Sequence, residues 1–245
     1  KLLVMDSLYS GTARKTPSES VAREMLKDVM LGVPSKDKAV IVTTFSSHIA
    51  RLKSIIELGK KMGREIAFLG RSLAKYTYAA ENCGIIKFSK DVDICGYKSQ
   101  IIKKLREIEK NGRDKYLIAV TGHQGEPEAV LSRIIDKQLK FDLYPQDHVI
   151  FSCTVIPDSI NIANRDILEK KLKKKRVRIF KDIHQSGHGS REDHRDLINM
   201  VKPENIIPSH GEISHTSNLI GLAQEMGYEL GDTVHLMQNG HTLTL

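Results

Sequence analysis

The sequence predicts an α/β fold with a doubly wound, mostly parallel sheet. Apolar, strand-like runs alternate with amphipathic, helix-like segments along most of the chain. Runs such as "AVIVTTF", residues 39–45, are rich in β-branched residues and lack polar alternation, which is typical of strands buried on both faces. In such sheets ligands lie at the carboxyl ends of the strands, so we expect functional residues there.

The elements follow one another in a regular order. Predicted strands cover residues 1–6, 38–45, 64–70, 84–89, 115–122, 147–158 and 177–183. One predicted helix begins near residue 18. The others cover 46–63, 72–82, 97–112, 126–138 and 161–176. After residue 184 we expect a Gly/Ser/His-rich loop, a helix over 191–201, a strand over 204–212 and a helix over 215–227. A hairpin over 233–245, turning at Asn239-Gly240, closes the chain.

Composition restricts the classes of partner. The net charge of +8 favours polyanions such as nucleic acid, whereas 5% aromatic residues argue against a long base-stacking platform. The cysteines Cys83, Cys95 and Cys153 are odd in number and form no C-x-x-C, which indicates a reducing cytoplasm. No apolar run approaches a membrane span, and no signal peptide is recognisable. Because Lys1 leads directly into an apolar strand, we expect further residues upstream.

Polar residues that could carry chemistry stand at element boundaries: Asp6, "GRS" (70–72), "TGHQGEP" (121–127), "SGHGS" (186–190) and "SHGE" (209–212). Each has an ordinary explanation on its own, as a turn or a helix cap. Together, His188 and His210 in Gly/Ser loops suit zinc binding, and a histidine beside a carboxylate such as Asp6 suits proton transfer. No H-x-H or C-x-x-C cluster occurs, so we expect that this chain alone cannot complete a two-metal centre.

The motifs resemble a known family. The quoted segments "LLVMDS…GTARKTPSE", "VTTFSSHIARLKSII", "GREIAFLGRSL", "VTGHQGEPEAVLSRI", "HVIFSCTVIPDS", "SGHGSREDHRDLI" and "IIPSHGE" are similar, in order and spacing, to metallo-β-lactamase-fold nucleases with a β-CASP insertion. The resemblance is strongest to the archaeal ribonuclease J branch and covers nearly the whole chain. It implies a β-CASP domain over 20–183, inserted in a partial αββα metallo-β-lactamase domain over 1–19 and 184–245.

The resemblance also implies an activity and site residues. It implies a ribonuclease that uses two Zn²⁺ ions, with His210 as a metal ligand and His188, oriented by Asp6, assisting the leaving oxygen. For a 5′→3′ exonuclease it implies a pocket for the RNA 5′-monophosphate between the domains. Our candidates for that pocket, by position, are Gly122, His123, Gln124, Gly125, Ser186, Gly187 and Ser190. The family's H-x-H-x-D-H cluster is absent here, so an N-terminal segment is expected to complete the site. A homodimer through the C-terminal lactamase part is also expected.

Three alternatives stay open at this point. One is an endonuclease of the cleavage and polyadenylation factor type, which "TGHQGEPEA" disfavours. Another is a non-catalytic RNA-binding fragment, which the missing metal ligands favour for the chain as it stands. The third is a doubly wound enzyme that binds a small nucleotide. It would need G-x-G-x-x-G after the first strand, and the sequence has none.

Overall fold

A computed structural model describes residues 1–244 and divides the chain into two compact units. Glu19–His184 form one of them, which we call the inserted unit. Lys1–Ser18 and the chain from Gln185 onward form the other, which we call the outer unit. These boundaries lie one residue away from the boundaries at 19/20 and 183/184 expected from the sequence.

Strands and helices alternate through the chain. The strands are β1 (Leu2–Asp6), β2 (Val40–Thr43), β3 (Glu65–Leu69), β4 (Val92–Cys95), β5 (Tyr116–Val120), β6 (His148–Phe151), β7 (Arg178–Phe180) and β8 (Asn205–Ser209). The α-helices are α1 (Glu19–Gly32), α2 (Ile49–Lys61), α3 (Arg71–Asn82), α4 (Lys98–Asn111), α5 (Val130–Ile135), α6 (Ser159–Lys174), α7 (Arg191–Val201) and α8 (Ile213–Glu225). In the described residues, no helix is both long and apolar enough to cross a membrane.

The inserted unit is built on a parallel sheet. Its described strands pair in the order β4-β3-β5-β2-β6-β7. Side chains alternate along β2, so that Ile41 enters a core with α4, α5 and α6, while Val40 and Val42 enter a core with α1, α2 and α3. Both faces of the sheet are therefore buried under helices, which explains the uninterrupted apolar runs. The predicted doubly wound, mostly parallel α/β fold is confirmed.

Arg51, at the start of α2, joins the two ends of the inserted unit. Its guanidinium binds the Glu19 carboxylate through Nε and Nη2, the latter at 2.7 Å. Its Nη1 donates to the carbonyl oxygen of Ile183 at 3.1 Å and to Ser152 Oγ at 2.8 Å. The Arg51 side chain is fully buried, so this charge depends on these partners. The first residue of α1 and the segment after β7 are thereby held at one guanidinium.

The outer unit contains a parallel pair of strands. Leu2–Asp6 of β1 lie opposite Asn205–Ser209 of β8, and α7 and α8 cover one side of the pair. Met5 and Ile206 are buried there with Ile198 and Leu219. Leu2 and Val4 instead remain exposed, because alternation along β1 turns them to the other side.

The structure corrects three predicted elements. Residues 84–89 form no strand, and the edge strand is β4, which begins three positions after residue 89. Helix α5 begins at Val130 rather than at residue 126, because the amides of Val130 and Leu131 bond to Thr121. The expected hairpin has its turn, where His241 N–H donates to the Gln238 carbonyl, but its arms are not paired strands within residues 233–244.

Candidate active site

The pairing of β1 with β8 places Asp6 and His210 at the same edge of the strand pair. Asp6 lies opposite Ser209, and both Ser7 N–H and Ser7 Oγ donate to the Ser209 carbonyl, at 2.9 and 2.7 Å. His210 follows Ser209 directly in the left-handed conformation, with φ 56°. This unusual backbone ends the strand abruptly and brings the imidazole beside the carboxylate. Parallel pairing therefore joins two residues that are far apart in the sequence.

His188 completes a cluster with these two residues. Its Nδ1 lies 2.7 Å from Oδ2 of Asp6. Its ring stacks on that of His210, with centroids 5.1 Å apart and planes inclined by 11°. One possible ligand atom from each of the three residues lies within 4.8 Å of the other two. Among residues 1–244, no other group of three His, Cys, Asp or Glu side chains meets this criterion.

The loop that carries His188 is held on both sides by hydrogen bonds. Thr16 Oγ1 donates to the His188 carbonyl at 2.9 Å and accepts from Ser190 N–H at 2.9 Å. Asp193 Oδ2 accepts from Ser190 N–H and from Thr16 N–H, at 2.9 and 2.8 Å. Ser186 Oγ accepts from His188 N–H at 3.1 Å. These bonds fix the loop backbone while leaving the His188 side chain 43% exposed to solvent.

The surroundings of Asp6 keep it ionised. Burial raises the pKa of the Asp6 carboxyl, but hydrogen bonds from Leu8 N–H and His188 lower it, as does the proximity of His188 and His210. The lowering effects prevail, so the pKa of Asp6 lies below its ordinary value. A carboxylate only accepts hydrogen bonds, so Nδ1 of His188 carries the hydrogen between them. Nε2 is then the ring nitrogen left for chemistry.

The donor set fits a zinc ion in part. Zn²⁺ binds imidazole nitrogen and carboxylate oxygen, and it is usually four-coordinate. Asp6, His188 and His210 supply suitable atoms close together, at an accessible edge of the fold. Three protein donors can hold one catalytic zinc with an open position, but they cannot hold two ions. A two-zinc centre would require donors from outside the described residues.

His194 of α7 lies beneath the same loop. It is buried, and its Nδ1 has no hydrogen-bond partner in the described structure. Burial lowers the pKa of His194, although the negative charges of Asp6 and Asp193 oppose this effect. A β-carbon at Gly189 would lie 3.2 Å from Nε2 of His194, so the loop passes close over a neutral ring. A side chain at Gly189 would therefore press against the His194 ring.

The "TGHQG" loop after β5 belongs to the inserted unit. Gly122 and Gly125 have φ values of 118° and 80°, which favour glycine. A β-carbon at Gly125 would come within 2.5 Å of the Asn164 carbonyl, so α6 approaches this loop backbone closely. The sequence interpretation of a glycine-rich turn holds for the backbone. Whether the loop binds phosphate stays a prediction.

The two polar side chains of this loop are differently placed. Gln124 is buried, and its amide donates to the Thr154 carbonyl at 3.0 Å and accepts from Ile156 N–H at 2.9 Å. Its side chain therefore braces the loop after β6. The His123 ring packs edge-on against Phe45, with centroids 4.3 Å apart. Burial lowers the pKa of His123, so the ring is neutral near pH 7.

The predicted phosphate-binding residues are divided between the units. Gly122, His123, Gln124 and Gly125 lie in the inserted unit, and Ser186, Gly187 and Ser190 lie in the outer unit beside the cluster. The hydroxyl of Ser190 lies 3.0 Å from Thr16 Oγ1 and so contributes to the hydrogen bonds that hold the loop carrying His188. Gly187 has open space around its α-carbon, where a β-carbon would meet nothing within 4 Å.

Several residues that shape these sites carry little or no recognisable signal in the sequence. Asp193 had a readable signal, because Ser190 and Asp193 form a capping box at the start of α7. Thr16 gave no signal, since its bonds reach residues more than 170 positions away. Arg51 and His194 read as ordinary helix residues, and only their burial distinguishes them.

Comparisons with known proteins find similar sequences over the whole length of this chain. The family described as "Ribonuclease J, beta-CASP domain" matches residues 37–169, and the "Zn-dependent metallo-hydrolase RNA specificity domain" matches residues 174–236. Ribonuclease J of Methanocaldococcus jannaschii is 46% identical over 94% of this chain and 51% of its own length. Ribonuclease J of Pyrococcus abyssi is 45% identical over 100% of this chain and 54% of its own. Ribonuclease J of Thermus thermophilus is 31% identical over 92% of this chain and 38% of its own length. The chain thus spans about half the length of the first two relatives.

Proposed function

Because the chain belongs to the ribonuclease J β-CASP family, we propose that it forms part of a zinc-dependent ribonuclease acting on RNA phosphodiesters. The observation that carries the proposal is the convergence of Asp6, His188 and His210 at one edge of the outer unit. We further propose 5′→3′ exonuclease action on RNA with a 5′-monophosphate. We call a protein that contains this chain and equals its relatives in length the full-length protein.

The three residues have separate roles in this proposal. His210 binds one zinc ion through an imidazole nitrogen. His188 holds a phosphoryl oxygen or supplies a proton to the leaving oxygen at Nε2, while Asp6 fixes its ring through the 2.7 Å bond to Nδ1. Bound zinc supplies an acidified water and positive charge against the developing phosphorane. The exposed edge of the cluster leaves room for the RNA backbone.

Residues outside this chain supply the remaining zinc ligands in our proposal. Among the described residues this proposal assigns one zinc ligand, His210, which is fewer than two zinc ions require. Leu2 and Val4 on the open side of β1 are 44% and 56% exposed, as expected of a face that another layer covers. We therefore expect the isolated 245-residue chain to be inactive. The full-length protein would carry the complete site.

The 5′-phosphate candidates keep their proposed role, with a division of labour. The N–H groups of Gly122 and Gly187 are those suited to anion binding, because glycine-rich backbone exposes its N–H groups. Gly125 and Ser190 shape the two loops instead, since the N–H of Gly125 donates to the Gly122 carbonyl and that of Ser190 donates to Thr16 and Asp193. Gln124 acts by bracing the loop, since both ends of its amide are bonded. His123 can bind a phosphate only as a neutral hydrogen-bonding group at pH 7.

Two further expectations belong to the proposal. Cys83, Cys95 and Cys153 form no disulfide in the described structure, which fits a location in the reducing cytoplasm. Met200 of α7 and Ile213 of α8 are strongly exposed apolar side chains in the outer unit. They fit a homodimer formed through this C-terminal part.

Paired histidine variants of the full-length protein test the roles. We expect His210→Ala to lose both zinc, measured by elemental analysis, and RNA cleavage. We expect His188→Ala to keep zinc and lose most turnover, about 100-fold or more. His241→Ala, at an exposed position outside the cluster, is the matched control. Release of zinc by His188→Ala would refute the assigned roles.

The substrate end tests the direction of action. RNA with a 5′-monophosphate should be degraded faster than the same RNA with a 5′-hydroxyl, and mononucleotides should appear from the start. Equal rates with internal cleavage products would instead favour the endonuclease alternative.

A further inference from the structure

A groove lies at the carboxyl edge of the inserted sheet, where β3 and β4 end and α3 and α4 begin. We call it the tyrosine groove. It encloses about 250 Å³ and is lined by Arg71, Ala74, Lys75, Tyr78, Gly96, Tyr97 and Gln100. None of these residues is among those proposed above for zinc or for the 5′-phosphate.

The shape of the groove follows from small residues between two aromatic rings. Ala74 and Gly96 form its floor, and a β-carbon at Gly96 would lie 2.9 Å from the β-carbon of Ala74. Tyr78 and Tyr97 also line the groove and are 47% and 73% exposed. A side chain at Gly96 would collide with Ala74, so glycine at this position lets the two segments lie close together beside the groove.

The groove also carries uncompensated positive charge. Arg71, Lys75 and Tyr78 share one face of α3, at spacings of four and seven residues from Arg71. Neither Arg71 nor Lys75 has an acidic partner within 4 Å in the described structure, and no acidic residue lines the groove. On the neighbouring α4, by contrast, Lys104 binds both Asp93 and Glu107 at 2.6 Å. Arg71 and Lys75 are therefore available to an anionic ligand, whereas Lys104 is already neutralised by its two carboxylates.

Exposed aromatic faces beside free cations suit one class of ligand best. Single-stranded nucleic acid stacks its bases on aromatic rings and places its phosphates on basic side chains, without regard to sequence. A simple anion would need the cations but would not use the tyrosines. A base pair within a duplex would hide the faces that the tyrosines could contact.

We propose that the tyrosine groove is an additional RNA-binding site, which holds one or two unpaired nucleotides between Tyr78 and Tyr97. Arg71 and Lys75 contact the adjoining phosphates. The inference rests on the proposed function only in taking RNA as the ligand. It adds a site that binds the RNA by stacking, beside β4, the edge strand of the sheet in the inserted unit.

Binding of labelled RNA to the 245-residue chain tests the groove. The probe is a 15-nucleotide single-stranded RNA, and its fluorescence anisotropy is followed in a metal chelator so that cleavage plays no part. We expect Tyr97→Ala to weaken binding about tenfold, and Tyr97→Phe to bind like the unchanged chain, since stacking needs the ring and not the hydroxyl. Tyr76→Ala, at an exposed tyrosine on α3 outside the groove, is the matched control and should change nothing.

The salt dependence of binding tests the cations separately. Arg71→Ala should reduce the slope of log Kd against log salt concentration by about 0.7, the value for one lost phosphate contact on a single strand. Lys53→Ala, an exposed lysine of α2, should leave the slope unchanged. RNA containing 4-thiouridine should form photo-crosslinks to peptides containing Tyr78 or Tyr97. Duplex RNA of equal length should bind more weakly and respond less to Tyr97→Ala.

Three outcomes would overturn the inference. One is binding by Tyr97→Ala and Arg71→Ala that matches the unchanged chain. Another is displacement of the RNA by polyglutamate combined with insensitivity to Tyr97→Ala, which would indicate a merely charged surface or a protein-docking site. The third is no RNA binding by the folded chain at all. None of these outcomes would contradict the proposed function, which is tested separately by the zinc content and RNA cleavage of the His188 and His210 variants.

Discussion

Nδ1 of His188 donates a 2.7 Å hydrogen bond to Oδ2 of Asp6, although 182 positions separate the two residues. The bond selects the ring nitrogen that faces the carboxylate and leaves Nε2 as the reactive one. It also holds the imidazole parallel to that of His210, with the planes 11° apart. A carboxylate is needed for this, because a neutral acceptor binds the ring more weakly.

Replacement of Asp6 should impair cleavage more than metal binding. In the full-length protein, we expect Asp6→Asn to lower the single-turnover rate of RNA cleavage about 10- to 100-fold, because the amide keeps the size of the side chain but lacks its charge. Elemental analysis should show nearly unchanged zinc. Loss of zinc in step with activity would mean that Asp6 is a metal ligand instead.

The Arg51 contact should contribute more to stability than an exposed pair between the same helices. We expect Glu19→Gln to lower the free energy of unfolding by about 2 kcal/mol, because it leaves a fully buried guanidinium without its counter-charge while Glu19 itself is partly exposed. Glu57→Gln removes the exposed partner of Arg23, also between α1 and α2, and should cost less than about 1 kcal/mol. Urea unfolding followed by circular dichroism gives both values, and equal costs would contradict the prediction.

The close approach of α6 to Gly125 should make that position intolerant of a side chain. Gly125→Ala combines φ 80° with contacts of 2.5 Å to the Asn164 backbone, so we expect a loss of at least about 2 kcal/mol in unfolding free energy. Gly84→Ala shares the positive φ, 71°, but has no neighbour within 4 Å, and should cost about 1 kcal/mol. The difference between the two variants isolates the steric contact. Similar losses would show that backbone conformation alone decides.

Acid should destabilise the inserted unit through His148. Burial, with the positive charges of Arg178 and Arg64, lowers the pKa of His148 to about 4, compared with about 6.5 when unfolded. The unfolded state therefore binds the extra proton between these values, so stability falls as the pH drops from about 6.5 towards 4. Going from pH 8 to pH 5, the unchanged chain should lose about 2 kcal/mol more unfolding free energy than His148→Leu.

Unfolding curves at both pH values provide the measurement for His148. The pKa of His184 is also lowered to about 4, but His184 is present in both proteins and cancels from the comparison. An identical acid response in the two proteins would show that the pKa of His148 is the same in the native and unfolded states.

The sequence allowed Asp6 and His210 to be placed together, but not the residues that support them. Both follow apolar runs, and the family resemblance placed them in one site, whereas the pairing of β1 with β8 that brings them together was not predicted. Thr16 lies in a loop whose shape depends on Ser190 and Asp193, far along the chain. Such contacts leave no period or spacing in the sequence, because nothing local requires them.

The strand that was misplaced shows a second limit. Residues 84–89 have the apolar content of a strand, yet Ile85 is exposed and Phe88 packs from a short turn. The true edge strand, β4, contains Asp93, whose charge weakens the apolar signal but suits a strand with one neighbour. Pairing with β3 decided between the two candidates, and a single sequence does not reveal pairing.

The contact of Arg51 with both Glu19 and Ile183 bears on how the chain can accommodate so large an interruption. Closing a flexible loop costs conformational entropy that grows with its length. Here Arg51 holds both ends of the inserted unit, Glu19 and Ile183, close together. For the outer unit, the folded insertion is therefore equivalent to a short connection whose ends already lie near each other. The outer unit can then assemble around β1 and β8 with an entropic penalty closer to that of a tight turn than to that of a long loop.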